Sequence, residues 1–177
     1  MVSQIKVNEI IKQSGSSITI GESGDTITLP STATLSNFPD NTPYFGAYLT
    51  SNQSVSTGAS TIVTYNAEFF DSGGFFDTST YRFTPTVSGY YEFFAQVKMD
   101  SSTDFNMLII NLRKNGSNVA NGQNNNDHNN SVCTSAIIQL NGSSDYVDVR
   151  MLQNSGGSAN VAGGSTETFI YGKKLIT

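Results

Sequence analysis

A chain of 177 residues has the length of one domain with a small appendage, and it can bury a sizeable core. Its formal net charge is -5, and its 9 lysine and arginine residues form no basic run, which excludes a nucleic-acid partner held by phosphate contacts. No apolar run approaches the roughly 20 residues of a membrane helix, so we expect no membrane insertion.

The first residues form a segment that differs from the rest of the chain. MVSQIKVNEI lacks the long apolar stretch of a signal peptide, so we expect the protein to fold in a cytoplasm. The segment SQIKVNEII carries the apolar residues Ile5, Val7, Ile10 and Ile11. SITIG (17–21) and TITLP (26–30) are near-copies joined by the turn ESGD, which predicts a two-stranded hairpin. Because an isolated hairpin is marginal in water, it must pack against the main domain, copies of itself or another protein.

Residues 31–43 read as a linker, because Pro39 and Pro43 bracket polar residues and neither proline fits inside a paired central strand. We therefore divide the chain into a leader, residues 1–42, and a main domain, residues 43–177.

From residue 44 onward, apolar and polar residues alternate, and Gly, Asn and Ser clusters interrupt the alternation. The predicted strands are IVTYNAEFF (62–70), TYRFTPTV (80–87), YYEFFAQVKM (90–99), NMLIINLRKN (106–115), TSAIIQLN (134–141), DYVDVRML (145–152) and ETFIYGKKL (167–175). DSGG, KNGSN, LNGSSD and NSGGSANVAGG read as turns. Strands with short connections predict an all-β sandwich or barrel.

The stretch FTPTVSGYYEFFAQVKM (83–99) predicts where the core lies. Alternation places the following residues on one face, which we assign to the core: Tyr91, Phe93, Ala95, Val97 and Met99. Gly89 permits a sharp turn before this strand, and Pro85 marks an edge or bulge in the preceding one.

We find no catalytic constellation and predict neither an enzyme nor a cofactor. The single histidine, His128, cannot form a multi-histidine metal site within one chain, and it lies in a polar loop. Asp71 with Asp77, or Asp100 with Asp104, could bind calcium, but solvated turn residues are the favoured interpretation. The single cysteine, Cys133, is interpreted as a small buried hydrophobe.

The loop NGQNNNDHNNS has the most unusual local composition of the chain, since it is rich in Asn and Gln. Their amide side chains offer paired donors and acceptors that can hydrogen-bond to sugar hydroxyls. It is a candidate site for a glycan or receptor; a flexible loop without such a role is the alternative. The candidate residues are Asn124, Asn125, Asn126, Asp127, His128, Asn129 and Asn130.

The main domain resembles the C1q/TNF-like jelly-roll domains over residues 43–176. Phe83, Val87, Gly89, Tyr91 and Phe93 have the spacing of the family motif. YFGAYLT (44–50) resembles the opening strand of the family, and NMLIINLRKNGSNVANG, NGSSDYVDVRM and FIYGKKL resemble the strands that follow the motif. In FIYGKKL, two lysines replace residues that are usually apolar, and no collagen-like stalk precedes the domain. The resemblance implies a jelly-roll β-sandwich that follows a short hairpin leader.

The same resemblance implies a homotrimer whose opening and closing strands are neighbours near the threefold axis. Aromatic residues on the strand faces that point away from the predicted core also suggest an interface between copies. We therefore predict trimer contacts at Tyr44, Tyr48, Phe169 and Tyr171. Half-exposed sheet aromatics are the alternative, and the phase of these strands could be reversed.

The leader resembles the opening of phage tail-fibre and other virion proteins that carry a C1q-like tip. This resemblance implies a virion structural protein, either a tail fibre or appendage or a capsid decoration. In it, Ile5, Val7, Ile10 and Ile11 would dock to other virion proteins. The trimeric domain would then face outward towards a host-surface glycan or receptor. The alternative is a free C1q/TNF-like ligand or lectin-like module outside a particle.

Overall fold

The structure is a computed structural model, and it describes residues 20, 22–28, 41–100, 105–125 and 130–176. The chain divides into two compact units, Met1–Phe38 and Pro39–Thr177. In the first unit, the Asp25 amide donates to the Glu22 carbonyl at 3.1 Å, and the Glu22 amide donates to the Asp25 carboxylate at 2.8 Å. These bonds confirm the predicted turn. Most of the predicted hairpin strands, and the docking residues Ile5, Val7, Ile10 and Ile11, lie outside the described residues.

The second unit consists of β-strands, as the sequence predicts. The strands are β1 (Tyr44–Tyr48), β2 (Gln53–Val55), β3 (Thr61–Ile62), β4 (Ala67–Asp71), β5 (Phe76–Asp77), β6 (Arg82–Phe83), β7 (Gly89–Lys98), β8 (Leu108–Lys114), β9 (Ser117–Asn124), β10 (Ser131–Leu140), β11 (Val147–Gln153), β12 (Ala159–Val161) and β13 (Phe169–Lys174). Among the described residues, no helix is long and apolar enough to cross a membrane.

Two antiparallel sheets form a sandwich. The first sheet has the order β10-β7-β13-β1-β4. The second has the order β5-β6-β11-β8-β9, with β3 also paired to β11, and β12 pairs separately with β2. The opening strand β1 and the closing strand β13 are neighbours in the first sheet, with Ala47 opposite Ile170. This architecture confirms the predicted jelly-roll sandwich.

The inward face of β7 supplies the centre of the core. Its four predicted core residues, Tyr91 to Val97 in steps of two, and the fifth, Met99, which directly follows the strand, are all fully buried. Phe45 of β1 stacks on Phe83 of the second sheet, with ring centroids 4.4 Å apart, and thereby joins the two sheets. Gly172 of β13 makes room for this stack, because a Cβ there would lie 2.5 Å from Phe45 and 2.8 Å from Phe93.

The structure corrects the predicted strand 62–70. It is two strands, β3 in the second sheet and β4 in the first, because residues 63–66 carry the chain from one sheet to the other. Val63 and Tyr65 are buried during this crossing, and the Val63 amide donates to the Val149 carbonyl. Because the crossing segment buries apolar side chains, its sequence continues the apolar alternation, and the two strands read as one.

Three further segments have a secondary structure that differs from the predicted one. Residues 117–124, read as turn and loop, form β9, because β8 pairs with them along their length. Ala159–Val161 in the predicted turn NSGGSANVAGG forms β12. Within the predicted strand 80–87, Arg82–Phe83 alone is strand.

The interpretation of Cys133 as a buried residue is wrong, since its side chain is exposed. On β10, Val132 and Thr134 face inward, so alternation turns the cysteine outward.

Candidate functional site

Seven aromatic side chains on the outer face of the first sheet are joined by ring contacts, and we call this cluster the aromatic face. Its members come from four adjacent strands: Tyr44, Tyr48, Phe69, Phe70, Phe94, Phe169 and Tyr171. The phase of β1 and β13 is as predicted, because Phe45 and Ile170 point into the core. The four residues predicted as trimer contacts therefore lie together on one surface.

Tyr171 connects the members of the aromatic face. Its ring centroid lies 5.1 Å from that of Phe169, 5.5 Å from that of Phe69 and 6.1 Å from that of Phe70. The ring lies against Gly46 of β1, where a Cβ would approach its Cδ1 atom to 2.7 Å. The glycine thus allows Tyr171 to lie close to the sheet and to contact aromatics on both sides.

A β-bulge adds two members that sequence alternation could not find. Gly46 pairs with Phe70, and the next residue, Ala47, pairs with Glu68, so Phe69 is an extra residue in β4. A bulge shifts the alternation by one residue. As a result, Phe69 contacts Tyr48 and Phe70 contacts Tyr44, both on the same side of the sheet.

The aromatic face remains accessible in the single chain. Tyr44, Phe69, Phe70 and Phe94 keep between 37% and 45% of their surface exposed. A groove of about 600 Å³ runs between Tyr44, Phe70, Phe94 and Tyr171. At its polar side, the Lys173 ammonium lies 3.2 Å from the Glu92 carboxylate. An apolar surface of this kind, bordered by a charged pair, has the character of a protein interface.

The Asn-rich loop is described at its two ends, and Asn126, Asp127, His128 and Asn129 lie outside the described residues. The Asn124 amide donates to the Ser131 carbonyl at 3.0 Å, and the Asn130 amide donates to the Met99 carbonyl at 2.8 Å. The Asn125 side chain accepts a hydrogen bond from Gln123. Asn124 therefore joins β9 to β10, and Asn130 ties the other end of the loop to the residue that follows β7.

Asp71 and Asp77, one of the calcium pairs considered from the sequence, both cap turns. The Asp71 carboxylate accepts from the amides of residues 73, 74 and 76. Hydrogen bonds from Ser79, and then from Thr80, lower the pKa of Asp77 to about 2. In the described part of the chain, no three His, Cys, Asp or Glu side chains group together as a metal site. Asp104 lies outside that part.

The C1q domain family model matches residues 45–170. Murine APRIL is 15% identical to the chain, with a TM-score of 0.56, and the match covers 75% of this chain and 99% of APRIL. The globular domain of zebrafish complement 1qA is 16% identical, with a TM-score of 0.53, and the match covers 77% and 98%. Eiger TNF from S. frugiperda is 16% identical, with a TM-score of 0.50, and the match covers 75% and 93%. No curated protein sequence is significantly similar to the chain.

Proposed function

The chain belongs to the C1q domain family, and we propose that it is a non-enzymatic binding module that assembles into a homotrimer through its aromatic face. The observation that carries this proposal is the cluster of seven aromatic side chains on one side of the first sheet. The core does not need them, because Phe45, Phe93 and Ile170 already fill the opposite side of the same strands.

Burial of the exposed aromatic area would contribute favourably to association. Four side chains, each about 40% exposed and about 200 Å² in size, present roughly 330 Å² of surface. At about 25 cal/mol per Å², burial of this area would stabilise the assembly by about 8 kcal/mol for each copy. This value is comparable to the cost of association, about 4–15 kcal/mol. Burial of this area alone roughly offsets that cost, so stable assembly also depends on how closely the neighbouring copy fits the face.

We further propose that the trimer is a virion structural part, a tail fibre or appendage or a capsid decoration, with the C1q domain facing outward. In this proposal, residues 1–42 dock to other virion proteins through Ile5, Val7, Ile10 and Ile11. The support is the resemblance of the leader to virion proteins. Three copies of the outward domain would strengthen weak contacts with a host-surface glycan or receptor. The loop at residues 124–130 is one candidate for those contacts.

A free C1q/TNF-like ligand or lectin-like module is the second candidate. It is supported by the extent of the family match, which begins at residue 45 and does not involve the leader. The two candidates differ in where the protein is found. An antibody against residues 43–177 that labels purified phage particles would support the virion role. Recovery of the chain in the particle-free fraction alone would support the free module.

The trimer is tested by the solution mass, measured by light scattering on the full chain and on a shortened chain that begins at residue 42. We expect three copies in both samples, because the aromatic face lies entirely within the C1q domain. A monomer in both would overturn the proposed assembly. A trimer of the full chain alone would assign the contacts to the leader and would overturn the role of the aromatic face.

A further inference from the structure

The three arginines of the chain converge on one buried carboxylate at the outer face of the second sheet. Arg82 of β6, Arg113 of β8 and Arg150 of β11 surround Asp148, whose side chain is 3% exposed. The Nε atoms of Arg82 and Arg113 lie 3.9 Å and 3.8 Å from the carboxylate oxygens. Burial raises the pKa of Asp148, and the arginine charges oppose that rise. The cluster has an excess of two positive charges in a protein of net charge -5.

The guanidinium groups are held in place and keep unused donors. Arg113 donates to the Gly116 carbonyl, Arg150 donates to the Ser60 carbonyl at 2.9 Å, and Arg82 lies 4.0 Å over the Tyr146 ring. Within the described residues, the buried Nε atoms of Arg82 and Arg150 have no hydrogen-bond partner. Those Nε atoms are shielded from solvent, as is the unpaired Asp148 Oδ1 beside them. An acceptor from outside the chain would therefore meet the terminal guanidinium nitrogens, and the Arg82 side chain keeps 42% of its surface exposed.

A groove of about 470 Å³ lies beside this cluster on the same face. Its lining includes three amides, Asn111, Asn118 and Asn121, and the larger apolar side chains Ile109, Val119 and Leu152. The volume is typical of small-ligand sites, about 300–1,000 Å³. None of the three amide side chains forms a hydrogen bond within the described part of the protein.

Strand register places the arginines at one end of the groove. Asn111 is paired with Arg150 across β8 and β11, and with Asn121 across β8 and β9. Arg113 lies two residues further along β8, about 7 Å away, opposite Asp148. Ser60, which accepts from Arg150, also lines the groove. The amides and the guanidinium groups thus form one continuous surface.

We propose that this groove binds a saccharide unit that carries a carboxylate. Apolar side chains receive the C–H face of the sugar ring, and the asparagine amides, which both donate and accept, pair with its hydroxyl groups. The carboxylate lies at the arginine end, where the planar guanidinium forms charge-assisted bonds. Asp148 holds the three cations close together before the ligand arrives. The site lies on the sheet opposite the aromatic face, so it is a saccharide site separate from the loop at residues 124–130 and does not depend on trimer assembly.

The test is calorimetric titration of the full chain with trigalacturonate and with its methyl ester, which has the same rings but no charge. We expect the acid to bind at least about tenfold more tightly than the ester, because the ester cannot form charge-assisted bonds. Arg150→Gln should weaken the acid about tenfold and leave the ester nearly unchanged. The double variant Asn118→Ala, Asn121→Ala should weaken both probes. Lys98→Gln, which removes the same charge from the first sheet, should bind as the unchanged protein does.

Three results would overturn the proposal. They are equal affinity for acid and ester, no binding of trigalacturonate, and unchanged binding by the double asparagine variant. The two asparagines are exposed, so that variant keeps the test valid if Arg150→Gln does not fold. A sulfated trisaccharide is titrated in parallel, and tighter binding of the sulfated probe would overturn the assignment to a carboxylate.

Discussion

Replacement of Phe70 by Ser tests the aromatic face directly. Phe70 is 45% exposed, which for a side chain of about 200 Å² leaves about 90 Å² available to a neighbouring copy. At about 25 cal/mol per Å², the substitution removes about 2 kcal/mol from each copy and about 7 kcal/mol from a trimer. This loss lowers the association constant by a factor of about 10⁵. When three monomers form a trimer, the protein concentration at which half of the trimer dissociates varies as the inverse square root of the association constant. This concentration should therefore rise about 300-fold.

The assay is sedimentation over a wide concentration range, with Val119→Ser as the matched control. Val119 is 46% exposed but lies on β9 of the second sheet, so its replacement should leave the half-dissociation concentration unchanged. Circular dichroism checks that each variant keeps its sheets. The reasoning is refuted if Phe70→Ser dissociates at the same concentration as the unchanged protein, or if both variants shift equally.

Three further predictions concern the sandwich itself. Gly172→Ala should lower the free energy of unfolding by about 1–3 kcal/mol, because its Cβ would overlap the ring of Phe45. Gly157→Ala, which meets open space, should be neutral in the same urea titration, and equal effects would contradict the packing argument. Gln153→Leu should cost about 1–3 kcal/mol in that titration, because the buried amide donates to two backbone carbonyls; no loss would show that those carbonyls find other donors. The carboxylate of Asp77, with its pKa lowered to about 2, stabilises the fold above about pH 4 and loses this effect as the pH falls towards 2. The melting temperature should therefore fall more steeply on acidification in the unchanged protein than in Asp77→Ala, and parallel slopes would refute this.

The core face of β7 could be predicted from the sequence because the strand is buried on one side. Ten residues alternate without interruption, because one side packs against the core and the other faces outward along the whole strand. The same regularity in β1 and β13 located Tyr44, Tyr48, Phe169 and Tyr171 on one surface. Where a strand pairs on both sides and keeps its register, period 2 in the sequence is sufficient to assign faces.

Features that depend on the register between strands distant in sequence could not be predicted from the sequence. The bulges in β4 and β9 add Phe69 and Val119 to their surfaces, and a bulge leaves no local mark in these sequences. The arginine cluster arises because β6, β8 and β11 are neighbours, although residues 82, 113 and 150 are far apart in the chain. The polar strand β9 lacked an apolar signal because its hydrogen bonds to β8, rather than burial, define it.

The contact between β9 and β10 below the Asn-rich loop has a consequence for how this protein can change. Gly122 of β9 lies directly against the backbone of Cys133, where a Cβ would collide with the carbonyl oxygen, and Asn124 bonds to Ser131 just above this contact. The two strands are thus fastened together before the chain enters the loop. Insertions between residues 125 and 130 would lower the free energy of unfolding mainly through the entropy of closing a longer loop, by about 0.6 kcal/mol for each doubling of loop length. This position is therefore suited to sequence diversification, by natural variation or by grafting of a foreign peptide, while the sandwich beneath it stays the same.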